Sequence, residues 1–240
     1  MARLTVVLPV CGDELLSHIE GEVRSWVSTD SKVEVVNIEK GPASIESEYD
    51  EALAGPGILE AVQHAVEGGA DAVFITCFGD PAVHAAREIV DIPIVGGFEP
   101  AMLTALSLGE RVGIITVLPN VVPMIRGLLH RYGLARRCDA VEVVDVPVLS
   151  LGDGEVLATR LHERARALVD DGRADVIVLG CTGMVGVAAQ LQSRLAAHGP
   201  FVPVVDPTGA AVLWLESALR LGVRPSRTTY MRPPDKVRSR

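Results

Sequence analysis

The chain alternates two hydrophobic patterns. Short apolar runs rich in Val and Ile occur at 3–10 (RLTVVLPV), 32–38 (KVEVVNI), 71–76 (DAVFIT) and 92–96 (IPIVG). They return at 111–119 (RVGIITVLP), 140–146 (AVEVVDV), 175–180 (DVIVLG) and 202–206 (VPVVD). These runs are continuous rather than alternating, as suits strands buried on both faces of a parallel sheet. Between them lie longer segments of helical pattern, such as 56–69 (PGILEAVQHAVEGG), 154–172 (GEVLATRLHERARALVDDG) and 207–222 (PTGAAVLWLESALRLG). Strand and helix in alternation predict an α/β fold, with right-handed crossovers placing helices on both sheet faces.

The pattern occurs twice. Arg3 and Arg111 each open a first strand that closes on Leu-Pro, an offset of 111 − 3 = 108. VEVVNI at 33 and VEVVDV at 141 are also 108 apart. GADAVFITCFGD at 69 matches RADVIVLGCTGM at 173, and Cys77 and Cys181 stand 181 − 77 = 104 apart. A period of that length indicates a duplicated domain rather than a solenoid, whose units run to roughly 20–50 residues.

Composition narrows the class. With 240 residues, 48% hydrophobic and 22% charged, the chain can bury a core in each of two domains. A net charge of −9 argues against nucleic acid or an anionic membrane as partner, since both are bound through basic surface. No apolar run approaches a transmembrane span, and the N-terminus reads as a first strand rather than a signal peptide, so a cytoplasmic protein is expected. The basic end, RPPDKVRSR, reads as a frayed tail.

The four cysteines, Cys11, Cys77, Cys138 and Cys181, contain no C-x-x-C pair and no zinc spacing, so neither a disulfide framework nor a metal is expected. Cys138 reads as a buried small hydrophobe. Cys77 and Cys181 differ from it, because each ends the third strand of its half, at the rim where open parallel sheets bind ligands. Asp80 and Pro81 look like an N-cap and first helical position, and Thr182 like an N-cap. A thiol at a helix N-terminus is expected to have a lowered pKa. If the halves face each other about a pseudo-twofold axis, both thiols enter one crevice. One thiolate could then remove a proton from carbon while the opposite thiol delivers another.

The segments TCFGDPAVHAAREIVDIPIVGGFEPAM, VIVLGCTGM and GPASIESEYDEALAGPGILEAV resemble the Asp/Glu/hydantoin racemase superfamily, its hydantoin racemase branch in particular, over residues 32–221. The resemblance implies two flavodoxin-like, doubly wound domains with parallel sheets. The last helix of each half would pack on the opposite domain, giving 1–98 plus 207–240 as one domain and 99–206 as the other. It implies racemisation without a cofactor by a cysteine pair, which maps onto Cys77 and Cys181. Glutamate racemases usually place His after the Thr of the second motif; here Gly183 and Met184 follow Thr182, which disfavours a free amino acid. Hydantoin racemases commonly open with an Asn-Pro-Asn-Thr turn, where this chain has Pro9-Val10-Cys11-Gly12.

The expected reaction inverts C5 of a 5-substituted hydantoin. Deprotonation there builds charge on a carbonyl oxygen, which needs N–H donors and close backbone approach at Gly79 and Gly183. Val10, Phe78, Gly79, Thr116, Thr182 and Gly183 are the expected substrate-binding residues. Ser44, Glu46, Glu48 and Tyr49 form a polar segment readable as a lid, a subunit contact or plain surface. Cys11 reads as packing or pocket lining, Glu99 as a helix-start acid, and His84 as a part-exposed helix residue. No glycine-rich phosphate fingerprint is present, so no nucleotide is expected. The expected partner is a small-molecule substrate, in a homo-oligomer. Allantoin or amino acid racemisation, maleate isomerase-like nucleophilic chemistry, a non-catalytic binding module and a redox dithiol are the alternatives.

Overall fold

The computed structural model describes residues 1–138, 140–152 and 154–237. The eight apolar runs form eight strands in two four-stranded, all-parallel sheets. The first sheet holds β1 (Ala2–Leu8), β2 (Ser31–Asn37), β3 (Ala72–Ile75) and β4 (Ile94–Val95), in the order β2-β1-β3-β4. The second holds β5 (Val112–Thr116), β6 (Ala140–Val143), β7 (Val176–Leu179) and β8 (Val204–Val205), in the matching order β6-β5-β7-β8. This is the flavodoxin-like order carried by four strands, written twice. The central strands β3, β5 and β7 are buried at every residue, whereas edge strand β2 alternates between part-buried and exposed positions over most of its length. The apolar content of each run follows that difference.

Among the described residues eight α-helices flank the sheets: α1 (Leu16–Trp26), α2 (Glu48–Glu67), α3 (Val83–Ile89), α4 (Phe98–Leu106), α5 (Val122–Arg131), α6 (Gly154–Asp170), α7 (Ala188–Ala196) and α8 (Pro207–Leu221). The repeated Ala-Asp phrase has a structural cause. Asp71 accepts the Arg3 backbone N–H at 2.8 Å, and Asp175 accepts that of Arg111 at 3.1 Å, so each Asp fixes the start of its third strand against the first.

Two helices cross between the halves. Phe98, Ala101, Met102 and Ala105 of α4 lie in the core of the second sheet. Ala211, Val212 and Leu215 of α8 lie in the core between the first sheet and α1. Gly209 permits the latter packing, since a Cβ there would lie 2.7 Å from the Trp26 ring. The opposite face of α8 leaves Leu213 and Trp214 exposed.

One helix expectation differs from the structure. The pattern starting at Pro56 is the second half of α2, which begins at Glu48 with Ser47 as N-cap. Pro56 is tolerated because it faces solvent, as does Ala52, whose carbonyl loses its helical donor. Beyond α8 the chain is anchored up to Arg232, the first residue of the basic end. Arg227 bonds Asp91 at 2.7 Å and caps the α3 end through the carbonyls of Arg87 and Glu88, both at 3.0 Å, while Arg232 pairs with Asp91. Among the described residues no helix is long and apolar enough to cross a membrane.

Candidate active site

β3 and β7 deliver Cys77 and Cys181 to one cavity at the carboxyl ends of the two sheets. The cavity measures about 50 Å³, room for a few water molecules. Its wall is mostly apolar: Leu8, Pro9, Val10, Leu15, Ile19 and Ile45 from the first half, with Val148 from the second. Thr76, Thr182 and Gly183 supply the polar lining beside the sulfurs. The Thr76 hydroxyl is buried and has no hydrogen-bond partner among the described residues, a costly state for a polar group unless something else engages it. A larger surface groove of about 230 Å³ lies between β2 and α2, lined by Glu34, Glu39, Glu60 and His64, and holds neither thiol.

Each sulfur sits in the same local turn. The Gly79 N–H donates to Cys77 Sγ at 3.4 Å, and the Gly183 N–H to Cys181 Sγ at 3.3 Å. The glycine amides expected to face substrate are therefore aimed at the thiols. The lowered pKa expected of a helix N-terminus is not found. α3 starts only at Val83 and α7 only at Ala188, so no helix opens at either sulfur. Burial pushes the Cys181 thiol up to about 11, against the opposing help of the Gly183 amide; the Glu46 carboxylate adds to the rise. Burial pushes Cys77 higher still, and charges on Cys181, Glu51 and Asp80 act in the same direction. Both residues are part-exposed toward the cavity, but surrounding protein shields their sulfurs from bulk water. Cys11, Cys77 and Cys181 are free thiols.

Several expected residues stand elsewhere. Thr116 is fully buried; its hydroxyl donates to the Gly180 carbonyl at 3.0 Å, tying the end of β5 to that of β7, and it does not line the cavity. Phe78 is buried in the second half's core, edge-to-face with Phe98 at 5.3 Å. Thr182 lines the cavity but caps no helix: its hydroxyl crosses between the halves to the Thr76 carbonyl at 3.1 Å. Asp80 caps α4 rather than its own helix, accepting the N–H groups of Phe98 at 2.8 Å and Glu99 at 3.3 Å. It does so from a left-handed backbone (φ 51°), and burial raises its carboxyl to about 7. Gly96 makes this possible, because a Cβ there would fall 2.1 Å from Asp80 Oδ1.

Of the remaining candidates, Val10 and Gly183 line the cavity, and Cys11 turns away to donate to the Gly41 carbonyl at 3.1 Å. Glu99 pairs with Arg87 at 2.6 Å, and His84 meets the Tyr132 hydroxyl at 3.1 Å. Glu48 and Tyr49 open α2, and Glu46 reaches the second half, accepting the Val148 N–H at 2.7 Å. Leu8, Leu15, Ile19, Ile45, Thr76 and Val148 escaped the sequence reading. Ile45 alone carried a signal, as an isolated apolar residue within a polar segment.

The Asp/Glu/Hydantoin racemase family profile matches residues 4–214. A hydantoin racemase of Pseudomonas sp. (strain NS671) is 34% identical over 235 residues, 98% of this chain and 92% of its own length. A hydantoin racemase of Rhizobium meliloti is 40% identical over 195 residues, 80% of this chain and 78% of its own. The solved allantoin racemase of Klebsiella pneumoniae superposes with a TM-score of 0.92 at 36% identity, covering 100% of this chain and 96% of that one. A chain with this twofold α/β architecture and this likeness along its length belongs to the Asp/Glu/hydantoin racemase family and is a racemase.

Proposed function

We propose that the protein inverts the C5 centre of a 5-substituted hydantoin, with Cys77 and Cys181 as the acid–base pair and no cofactor. The observation that carries this reading is that two part-exposed thiols from matching strands line one small cavity, each with a backbone amide on its sulfur. A thiolate takes the C5 proton, and the C–H electron pair moves into an enolate whose oxygen gains charge. The opposite thiol then protonates the other face and becomes the thiolate. The two sulfurs exchange roles at each inversion. They titrate as a coupled pair, since charge on Cys181 opposes ionisation of Cys77. Cys181, less strongly shifted, loses its proton first. Buried basic thiolates are also strong bases toward a weak carbon acid.

Val10, Leu15, Ile19, Ile45 and Val148 give the cavity apolar walls, which favour an apolar 5-substituent over the carbamoylamino group of allantoin or the charges of a free amino acid. Allantoin racemisation is the second reading, favoured by the 36% identity to the Klebsiella pneumoniae enzyme. Polarimetry on 5-alkyl- and 5-benzylhydantoins, allantoin and free amino acids separates these substrates. Cys77→Ser and Cys181→Ser should each cut racemisation by about 10³-fold or more. In deuterium oxide the wild type should carry deuterium into recovered substrate. A covalent adduct detected by mass, or full activity in either variant, would overturn the two-base mechanism.

A further inference from the structure

The segment joining β2 to α2 (residues 38–47) is bound on both sides of the cavity. On the first half, the Cys11 N–H donates to the Pro42 carbonyl at 2.9 Å, and the Cys11 thiol to Gly41. In the middle, Ile45 lines the cavity and packs against all three apolar cores of the molecule. On the far side, Glu46 bonds the backbone of Val148, itself a wall residue from the second half. The Glu46 N–H in turn donates to Asp50 at 3.1 Å, and Ser47 caps α2, so the segment's downstream end is fixed to a long helix. A single carboxylate–amide contact of this kind, part-buried and charge-assisted, is among the stronger hydrogen bonds a loop can make.

We propose that Glu46 is a positioning residue: by accepting the Val148 N–H it clasps the 38–47 segment across the two-thiol cavity, and in that closed position it holds a negative charge beside Cys181. Substrate entry then requires the clasp to open, and its reclosure sets Ile45 against the bound ring. The second consequence is electrostatic and falls on one sulfur. The charges facing Cys181 are those of Glu46 and, when ionised, Cys77, with the amides of Gly183 and Met184 acting the other way. Those facing Cys77 are Cys181, Glu51 and Asp80, not Glu46. The proposal rests on the two-thiol reading of the site for its catalytic meaning, but the clasp itself can be measured without turnover.

Cysteine alkylation by iodoacetamide, followed for each thiol by peptide mass spectrometry across pH, tests it on the full chain. Glu46→Ala should alkylate Cys77 and Cys181 about fivefold or more faster than wild type at one pH. Glu46→Gln keeps an acceptor for the Val148 N–H, so cavity access should stay near wild type while the Cys181 profile alone moves to lower pH. Val148→Pro removes the N–H and leaves the carboxylate, so it should open access like Glu46→Ala without that acid shift. It also guards against a Glu46→Ala chain that fails to fold. Unchanged access in both opened variants, or a Glu46→Gln profile identical to wild type, would overturn the proposal. Racemisation assays on the same proteins keep the readings apart: an inert wild type with a working clasp sinks the proposed reaction alone.

Discussion

Cys77 and Cys181 occupy the same Cys-x-Gly turn, yet their surroundings are unlike. Three acidic groups oppose ionisation of Cys77, and one carboxylate that of Cys181. Both thiols are therefore raised above the ordinary range, and in the proposed mechanism activity waits on the first proton leaving Cys181. Because its pKa is raised to about 11, the thiolate population should grow about tenfold per pH unit below that value. kcat/KM should accordingly climb with pH between about 7 and 9, and only above the pair's first ionisation level off and fall. A flat profile over that interval would mean a preformed thiolate and contradict the electrostatics described here. The sequence identified both residues from their repeated position, but it gave the sign of the shift wrongly. Desolvation decides that sign, and nothing in TCFGDPAV says how deeply the sulfur is buried or that Ala82 turns left-handed (φ 56°) and delays α3 to Val83.

At the level of elements, α4 is the piece on which both halves lean. Its buried face belongs to the second sheet, its N-terminus is capped by Asp80 from the first, and the preceding Gly97 N–H donates to the Cys77 carbonyl at 2.9 Å. The cap has a pH signature. Asp80 has a folded pKa near 7 against an unfolded value of 3.8, so its contribution to stability is complete below 3.8 and is lost as pH rises through 7. Asp206, the N-cap of α8, acts in the same sense with a folded value near 6, whereas His84, whose pKa is lowered by burial, acts in the opposite one. The informative quantity is thus a difference. Between pH 5 and 8, Asp80→Asn should flatten the fall in melting temperature relative to wild type, by on the order of several degrees. Parallel curves for the two proteins would show that the carboxyl is not the titrating group. Asp80 was legible as a helix cap from its place before Pro81; which helix it caps was not, because the partner lies 18 residues downstream.

Across the whole molecule, the halves exchange helices: α4 completes the second core, and α8 the first. A chain ending at Asp206 would uncover the apolar ground now taken by Ala211, Val212 and Leu215 and would lose the Trp26–Gly209 contact. Such a chain should be insoluble or molten, with circular dichroism and size-exclusion chromatography as the check; a monomeric, cooperatively melting product would show that the first half closes without α8. The eight strands and the duplication were readable from the chain, because parallel strands buried on both faces must be written as unbroken apolar runs. The two cysteines were readable because a duplicated strand marks its own end. What the chain left undecided was everything set by contact between distant segments: the raised thiol pKa values, the diversion of Thr116 and Phe78 into the core, the service of Asp80 to α4, and the reach of Glu46 to Val148. Periodicity reports which side of an element is buried. Desolvation and hydrogen-bond partners depend on what another segment, often a hundred residues away, places against it, and only the folded chain brings that segment there.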